Sequence, residues 1–239
     1  MRIAIGLVVV AAFFALFERR WVVRWERRVD VMYWFVNPFI SRPLASLCAG
    51  LLFLSFGRIG STWFSSQPLA AQWIEVLIGS DVAGYWSHRL FHRRPLWRFH
   101  AIHHSSESLD WLAAARVHPL NEAIGRVLQL FPLFLLGFDP RVVAGAVPFL
   151  TLYAVFLHAN VRWDFGPLRY VIATPRFHRW HHTSEEEGLD KNFSGLFPWI
   201  DLPFGTFYLP NGREPQIFGV EKEIIPPDLL GQLAFPFRR

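Results

Sequence analysis

Ten histidines stand in this 239-residue chain, and eight of them fall in three short clusters. His88 and His92 form an HxxxH. His100, His103 and His104 form an HxxHH, and His178, His181 and His182 form a second one. Residues i, i+3 and i+4 of a helix share one face, and imidazole is the commonest metal-binding side chain, ligating in its neutral form through one ring nitrogen. HxxxH therefore offers two nitrogens on one face. HxxHH offers three, and its two adjacent rings can splay toward different ions. All of these nitrogens together are too many for one ion, since a structural zinc takes four; shared between two ions they give about four or five each. The spacing predicts a dinuclear centre with imidazole as its main ligand. Imidazole suits iron, zinc, copper and nickel alike, so the ligands do not name the metal. His118 and His158 lie between the clusters. A lone histidine is usually a satisfied core or surface residue, which leaves His118 open. His158 ends an apolar helix candidate, where a polar ring needs a partner.

The segments that carry these clusters are unusually apolar. The chain is 52% hydrophobic, with 11 Trp and 24 Phe, and its mean hydropathy is +0.24. A hydrocarbon core needs about 20 apolar residues in a helix. Residues 3–17 are slightly short, but Trp21 and Trp25 extend them into an interfacial belt; they read as an uncleaved anchor, with a signal peptide as the alternative. Residues 43–60 and 69–87 read as the next two spans. Residues 122–137 and 141–159 read as a hairpin broken at Gly137-Phe-Asp-Pro140. The expected architecture is all-α, an integral-membrane helical bundle of about four or five spans with a cytosolic histidine-rich helical cap. The alternative is that the shorter spans are buried helices of a soluble bundle.

Charge orients this arrangement. If the spans alternate, residues 18–28, the first two histidine clusters and the C-terminal third share one side. Every basic residue except Arg2, Arg58 and Arg141 is then assigned to it. The positive-inside rule makes that side cytoplasmic, C-terminus included. A pI near 9.9 is thus explained by a membrane surface and not by nucleic acid. The span interiors read as nearly free of charge apart from Glu75 and Asp81. Cys48 is the single cysteine, so no intrachain disulfide forms.

An internal echo links two clusters. Phe99-His-Ala-Ile-His-His-Ser-Ser-Glu107 is matched by Phe177-His-Arg-Trp-His-His-Thr-Ser-Glu185, and a Leu-Asp pair follows each, Leu109-Asp110 and Leu189-Asp190. A metal-bound histidine usually donates its other ring N–H to a carboxylate, carbonyl or water. Glu107, Asp110, Glu185 and Asp190 are candidates for that role, as is Asn192 in the NFSG motif just beyond; the alternative for the Ser/Thr-Ser-Glu runs is helix capping. Residues 192–210, rich in Phe, Gly and Pro, read as irregular chain that plugs a site or lies at an interface.

HRLFH, LWRFHAIHHSSESLDWL, RVHP, HAN, TPRFHRWHHT, NFSG and DLPFGTFYLP occur in that order. The set resembles the fatty acid hydroxylase / sterol desaturase superfamily of membrane di-iron oxygenases, from about Asp81 to Pro210. Residues 1–80 read as membrane-anchor spans from their apolar runs alone, and 211–239, with few periodic apolar positions, as a cytoplasmic tail, partly strand or loop. The resemblance implies a catalytic domain over 81–210. It implies two iron ions, with zinc able to replace them in isolated protein, and ligands at His88, His92, His100, His103, His104, His158, His178, His181 and His182. His118, within Arg116-Val-His-Pro119, matches one branch of the family. It further implies oxygen-dependent hydroxylation or desaturation of a lipid of sterol or fatty-acyl type. No catalytic side chain beyond the ligands stands out.

Dioxygen and two electrons must come from outside. The chain has no dinucleotide fingerprint in context, no haem-attachment motif and too few cysteines for an iron–sulfur centre. A separate reductase with a ferredoxin or cytochrome-type carrier is expected, docking at Arg89, Arg93, Arg94, Arg98, Arg176 and Arg179 unless these form a membrane-facing belt. Two rivals remain. A zinc hydrolase lacks its HExxH, and a histidine-rich metal transporter would place ligands along a mid-membrane path, whereas these gather at one end.

Overall fold

The computed structural model describes residues 1–18, 27–56, 62–163, 165–221 and 223–238. Trp21, Trp25 and Arg58, and the end of the 43–60 span, lie outside the described residues. Within them the chain is helical: α1 (Arg2–Phe17), α2 (Arg27–Phe56), α3 (Trp63–Ser66), α4 (Leu69–Phe91), α5 (Trp97–His104), α6 (Pro119–Leu136), α7 (Pro140–His158), α8 (Pro175–His181) and α9 (Leu229–Ala234), with short 3-10 segments between α5 and α6, between α7 and α8, between α8 and α9 and after α9. Among the described residues the only β pairing is one isolated bridge between Thr183 and Phe218.

Five long helices, α1, α2, α4, α6 and α7, form a bundle in which successive members run in opposite directions. Polar contacts tie one end together. The Glu18 carboxylate accepts the backbone N–H groups of Trp111 and Asn160 at 3.0 and 2.9 Å. Arg27 bonds Asp110 at 2.8 Å, and the buried Arg116 and Asp30 pair at 2.6 Å. Apolar packing closes the other end, where Val76, Leu133, Phe138, Val142 and Val143 form one core cluster and the Phe64 ring lies 4.4 Å from that of Phe138. The turn between α6 and α7 needs its glycine: Gly137 has φ of 95° and its N–H bonds Phe134, a left-handed cap that costs a side-chain-bearing residue about 1 kcal/mol. Asp139 then starts α7 by accepting the N–H of Arg141 at 2.8 Å.

Among the described residues two helices, Arg27–Phe56 and Pro140–His158, are long and apolar enough to cross a membrane. Large apolar side chains face outward from the bundle, including Leu16, Phe39 and Leu54, which are 79%, 69% and 83% exposed.

The structure corrects two sequence expectations. The second span reads from its apolar run as 43–60; α2 instead runs continuously from Arg27 to Phe56, through Pro38 and Pro43. Proline is tolerated in such helices where neighbours satisfy the freed backbone groups. As a result Arg42 sits in the middle of α2, and Arg126, assigned by charge to the histidine side, sits well inside α6. Glu122 joins Arg126 there, so the bundle interior is not limited to Glu75 and Asp81. Asp81 has a structural reason: its carboxylate accepts the N–H groups of Gly195, Leu196 and Phe197 at 2.7, 3.0 and 2.7 Å, fixing the irregular chain that follows α8.

A cap covers the polar end. It comprises α5, the 111–115 turn, α8, the 192–210 segment and the C-terminal stretch. That stretch is docked: Leu229, Leu233 and Phe235 pack against Val29, Tyr33 and Ile102, and the Ile217 carbonyl accepts the N–H of Ser184 at 3.0 Å.

Candidate metal centre

Local sequence sets each histidine. α4 carries His88 in its last turn and His92 as its C-cap. α5 carries His100, His103 and His104, and α7 ends on His158. The Thr174 hydroxyl accepts the N–H of Phe177 at 3.2 Å and Pro175 occupies the first turn of α8, a strong helix start that places His178, His181 and His182 on one side. Nine rings converge as two groups, each with ligand nitrogens within 4.8 Å of one another and each able to hold a metal ion: His88, His92, His100, His104 and His181, and His103, His158, His178 and His182. Each HxxHH divides. Its first and last members enter one group and its middle member enters the other.

The nitrogens meet through Nε2. His88 and His100 approach to 3.1 Å, His104 and His181 to 3.1 Å. In the second group His103 and His158 stand at 3.2 Å, His158 and His178 at 3.3 Å, and His178 and His182 at 3.1 Å. These contacts are not hydrogen bonds where both rings have already committed their proton. His103 donates from Nδ1 to the Arg116 carbonyl at 3.0 Å, and His158 from Nδ1 to the Ala154 carbonyl at 2.7 Å. A carbonyl only accepts, so each ring carries its proton on Nδ1 and a bare lone pair on Nε2. His88 and His181 are fixed the same way, by the carbonyls of Phe193 and Lys191 at 2.8 and 2.7 Å. Lone pairs facing one another at such distances repel unless a cation lies among them. Protonation is not that cation: burial, reinforced by neighbouring rings, holds His100, His103, His104, His178, His181 and His182 well below the usual histidine value. The donor set thus fits a pair of metal ions, and soft thiolates are absent from it.

His118 stands outside both groups. Its Nδ1 accepts the N–H of Leu120 as the cap of α6, and its Nε2 donates to the Leu233 carbonyl at 3.2 Å. Of the five residues expected to orient ligand rings, only Asp190 touches one, bonding His92 Nδ1 at 3.0 Å. Asp110 caps the 111–115 turn and binds Arg27. Glu185 accepts the N–H groups of Gln216 and Ile217, and Glu107 is exposed. Asn192 works one step back: its amide donates to the carbonyls of Phe177 and Tyr208 and accepts the Tyr208 N–H, which positions the flanking Lys191 and Phe193 carbonyls. Asn121, whose Oδ1 lies 2.8 Å from His100 Nδ1, was missed, although it follows the Arg116-Val-His-Pro119 motif by two residues. Among the expected docking arginines, Arg98 and Arg179 are engaged with the carbonyls of Phe235 and Leu109, while Arg93 and Arg94 are exposed.

Each group has its own cavity. One of about 570 Å3 lies within the bundle; His103, His158 and His178 share its wall with Trp34, Leu150, Val155 and Leu157. Another, of about 330 Å3, is bounded by His92, His104 and His181 together with Trp97, Asp190 and Glu223.

Residues 73–206 match the fatty acid hydroxylase family. The chain is 34% identical over 179 residues to the ornithine lipid hydroxylase OlsE of Rhizobium tropici, covering 74% of this chain and 54% of that protein. It is 35% identical over 136 residues to the alkylglycerol monooxygenase of Danio rerio, covering 56% and 30%. Over 139 residues it is 31% identical to the very-long-chain aldehyde decarbonylase GL1-7 of Oryza sativa subsp. japonica, covering 51% and 21%. The chain therefore spans about half the length of the first of these relatives and less of the others. No solved structure matches it.

Proposed function

The chain belongs to the fatty acid hydroxylase family, and from that membership we propose that it is a membrane-bound di-iron oxygenase that hydroxylates or desaturates a lipid. The observation that carries this reading is the set of unprotonated Nε2 lone pairs at the wall of a cavity of about 570 Å3 inside an apolar bundle. His88, His92, His100, His104 and His181 would hold one ion, and His103, His158, His178 and His182 the other. Iron held by these rings would supply the chemistry that activates dioxygen toward an unactivated C–H bond. The chain's own part is to fix six of the nine rings through Nδ1, by backbone carbonyls, the Asn121 amide oxygen or the Asp190 carboxylate, to exclude water with the cap, and to hold the substrate. Removal of one hydrogen with hydroxyl transfer gives an alcohol, and removal of two gives an alkene, so the pose enforced by the cavity wall decides the product.

The electrons come from a separate reductase and carrier, with the exposed Arg93 and Arg94 available to an acidic partner. The histidine end and the C-terminus lie on the cytoplasmic side, with residues 1–80 as the membrane anchor, 81–210 as the catalytic unit and 211–239 as a C-terminal segment. A reporter fused after residue 239 reads cytoplasmic on this account, and the opposite readout overturns the orientation. Lipid profiling of cells with and without the protein tests the activity. A new lipid heavier by one oxygen, or lighter by two hydrogens, is expected. An unchanged profile with no oxygen uptake on supplying reductant leaves the zinc hydrolase and transporter readings in its place.

A further inference from the structure

Ionisable groups inside a membrane bundle are expensive and mark a functional path or a partner. Three of those on the wall of the large cavity serve neither the metal site nor as ties to the backbone of the cap: Arg42 of α2, and Glu122 and Arg126 of α6. Arg126 donates to Gln129 Oε1 at 3.1 Å and to Thr151 Oγ1 at 3.5 Å. A guanidinium has five N–H donors in a planar fork, so most of the fork remains for an occupant. The charges of Arg42 and Glu122 both act on Arg126. Glu122 Oε2, Asn37 Oδ1 and the Tyr33 hydroxyl are buried on lining residues without a hydrogen-bond partner, so the cavity is built for something polar as well as greasy. Around Arg126 itself two guanidiniums stand against the one carboxylate of Glu122. Asp81, the other acid on the wall, is committed to the backbone N–H groups of Gly195, Leu196 and Phe197.

The position of this station is fixed along α7. Thr151 precedes His158 by seven residues, roughly 10 Å of helix, and Arg126 reaches Thr151. We propose that the cavity takes an amphiphile whose oxyanion, a carboxylate or a phosphate ester, is held by Arg126 and Arg42, with roughly 10 Å of hydrocarbon between that anion and the carbon presented to His103, His158 and His178. An arginine fork matches such an anion in a bidentate manner, and the pair attract strongly where water is excluded. The assignment narrows the lipid-oxygenase reading and rests on it only for the fate of that carbon; the binding site stands on the cavity alone.

Binding tests it without turnover. The full chain in phosphatidylcholine nanodiscs is titrated with hexadecanoic acid, hexadecyl phosphate and hexadecanol, with empty nanodiscs as reference and acetate as the anion without a tail. The acid, the phosphate or both should bind at least about tenfold more tightly than the alcohol, and the one preferred names the head group. Arg126→Gln should erase the difference and Arg42→Gln should reduce it, while Arg126→Lys keeps most of it; melting temperature checks that each variant is folded. Should a variant fail to fold, the acid-to-alcohol comparison in the unaltered protein still decides. Equal binding of acid and alcohol overturns the proposal, as does undiminished preference in folded Arg126→Gln, or displacement of the acid by comparable acetate. Iron content of the same samples separates the two readings: preference for the anion without iron sinks the oxygenase and spares the site, and iron without preference does the reverse.

Discussion

The two histidine groups use the same ligand type but are held differently. In the group of His103, His158, His178 and His182 every ring is buried, and the two whose Nδ1 partners are resolved lean on backbone carbonyls of Arg116 and Ala154. Its cavity is the one inside the bundle. In the other group His88 and His92 are only partly buried, and His92 is oriented by the Asp190 carboxylate, whose side chain is 65% exposed. Its cavity lies among the polar residues of the cap. Backbone carbonyls hold rings in both groups, His103 and His158 in the first and His88 and His181 in the second; only the cap-side group adds a ring, His92, held by an exposed carboxylate. The first is hard to perturb without unfolding; the second is adjustable from the surface through that one ring.

The largest effect that would test this difference is His103→Ala. It removes a ligand from the four-membered group and leaves the Arg116 carbonyl without its donor. Turnover should fall at least about 100-fold, beyond the usual effect of losing a group that only orients a ligand, and metal content should drop to one ion per chain. Full activity in this variant would end the ligand assignment.

Acid is the next lever, because it acts on six rings at once. The folded values of His100, His103, His104, His178, His181 and His182 are depressed by burial, while the unfolded rings titrate near 6.5. The unfolded state therefore binds more protons below that value, and stability of the metal-free protein falls as pH drops, by on the order of 0.5 kcal/mol per ring between pH 7 and pH 6. Denaturant midpoints of the metal-free protein at those two pH values check it; a flat profile would mean that the rings are not buried as described.

Asn192→Ala separates the groups. It deletes three hydrogen bonds at a residue with φ of 58°, a conformation asparagine tolerates better than alanine. A loss of about 3 kcal/mol is expected from the buried groups left unpaired. The damage should fall on the group fed by the Lys191 and Phe193 carbonyls, so one ion should dissociate more readily than the other. Asp190→Ala should be gentler, weakening the cap-side ion about tenfold with little change at the other. Asp190→Asn, which keeps an acceptor for His92 and suits the φ of 55° at this position, should do least. Metal titrations followed by competition with a chelator rank all three.

How much of this was readable from residues alone follows the same division. The ligands were legible because helical spacing leaves its mark in residue type: His88 with His92, His100 with His104, and His178 with His182 are i, i+4 pairs, and all three pairs stay together. The long helices were legible from apolar runs, except in α2, which extends beyond its apolar run through Pro43 and Pro38 to Arg27. What orients the rings was mostly illegible. Four of the resolved Nδ1 partners in the site are backbone carbonyls of Arg116, Ala154, Lys191 and Phe193, and a carbonyl has no residue identity. Asp110 and Glu185, chosen for their chemistry and position in an echo, serve instead as a cap and a loop tie. Arg42 and Arg126 were passed over because arginines near apolar segments were attributed to the membrane surface; only the packing of α2 against α6 shows that they share a cavity.

The central claim is that bare Nε2 lone pairs gather around two ions. Anomalous scattering at the iron edge from crystals of iron-reconstituted protein tests it most directly. Two peaks per chain are predicted, one within the five rings of His88, His92, His100, His104 and His181 and one within the four of His103, His158, His178 and His182. A single peak, or none at these rings while iron is retained elsewhere, would contradict it.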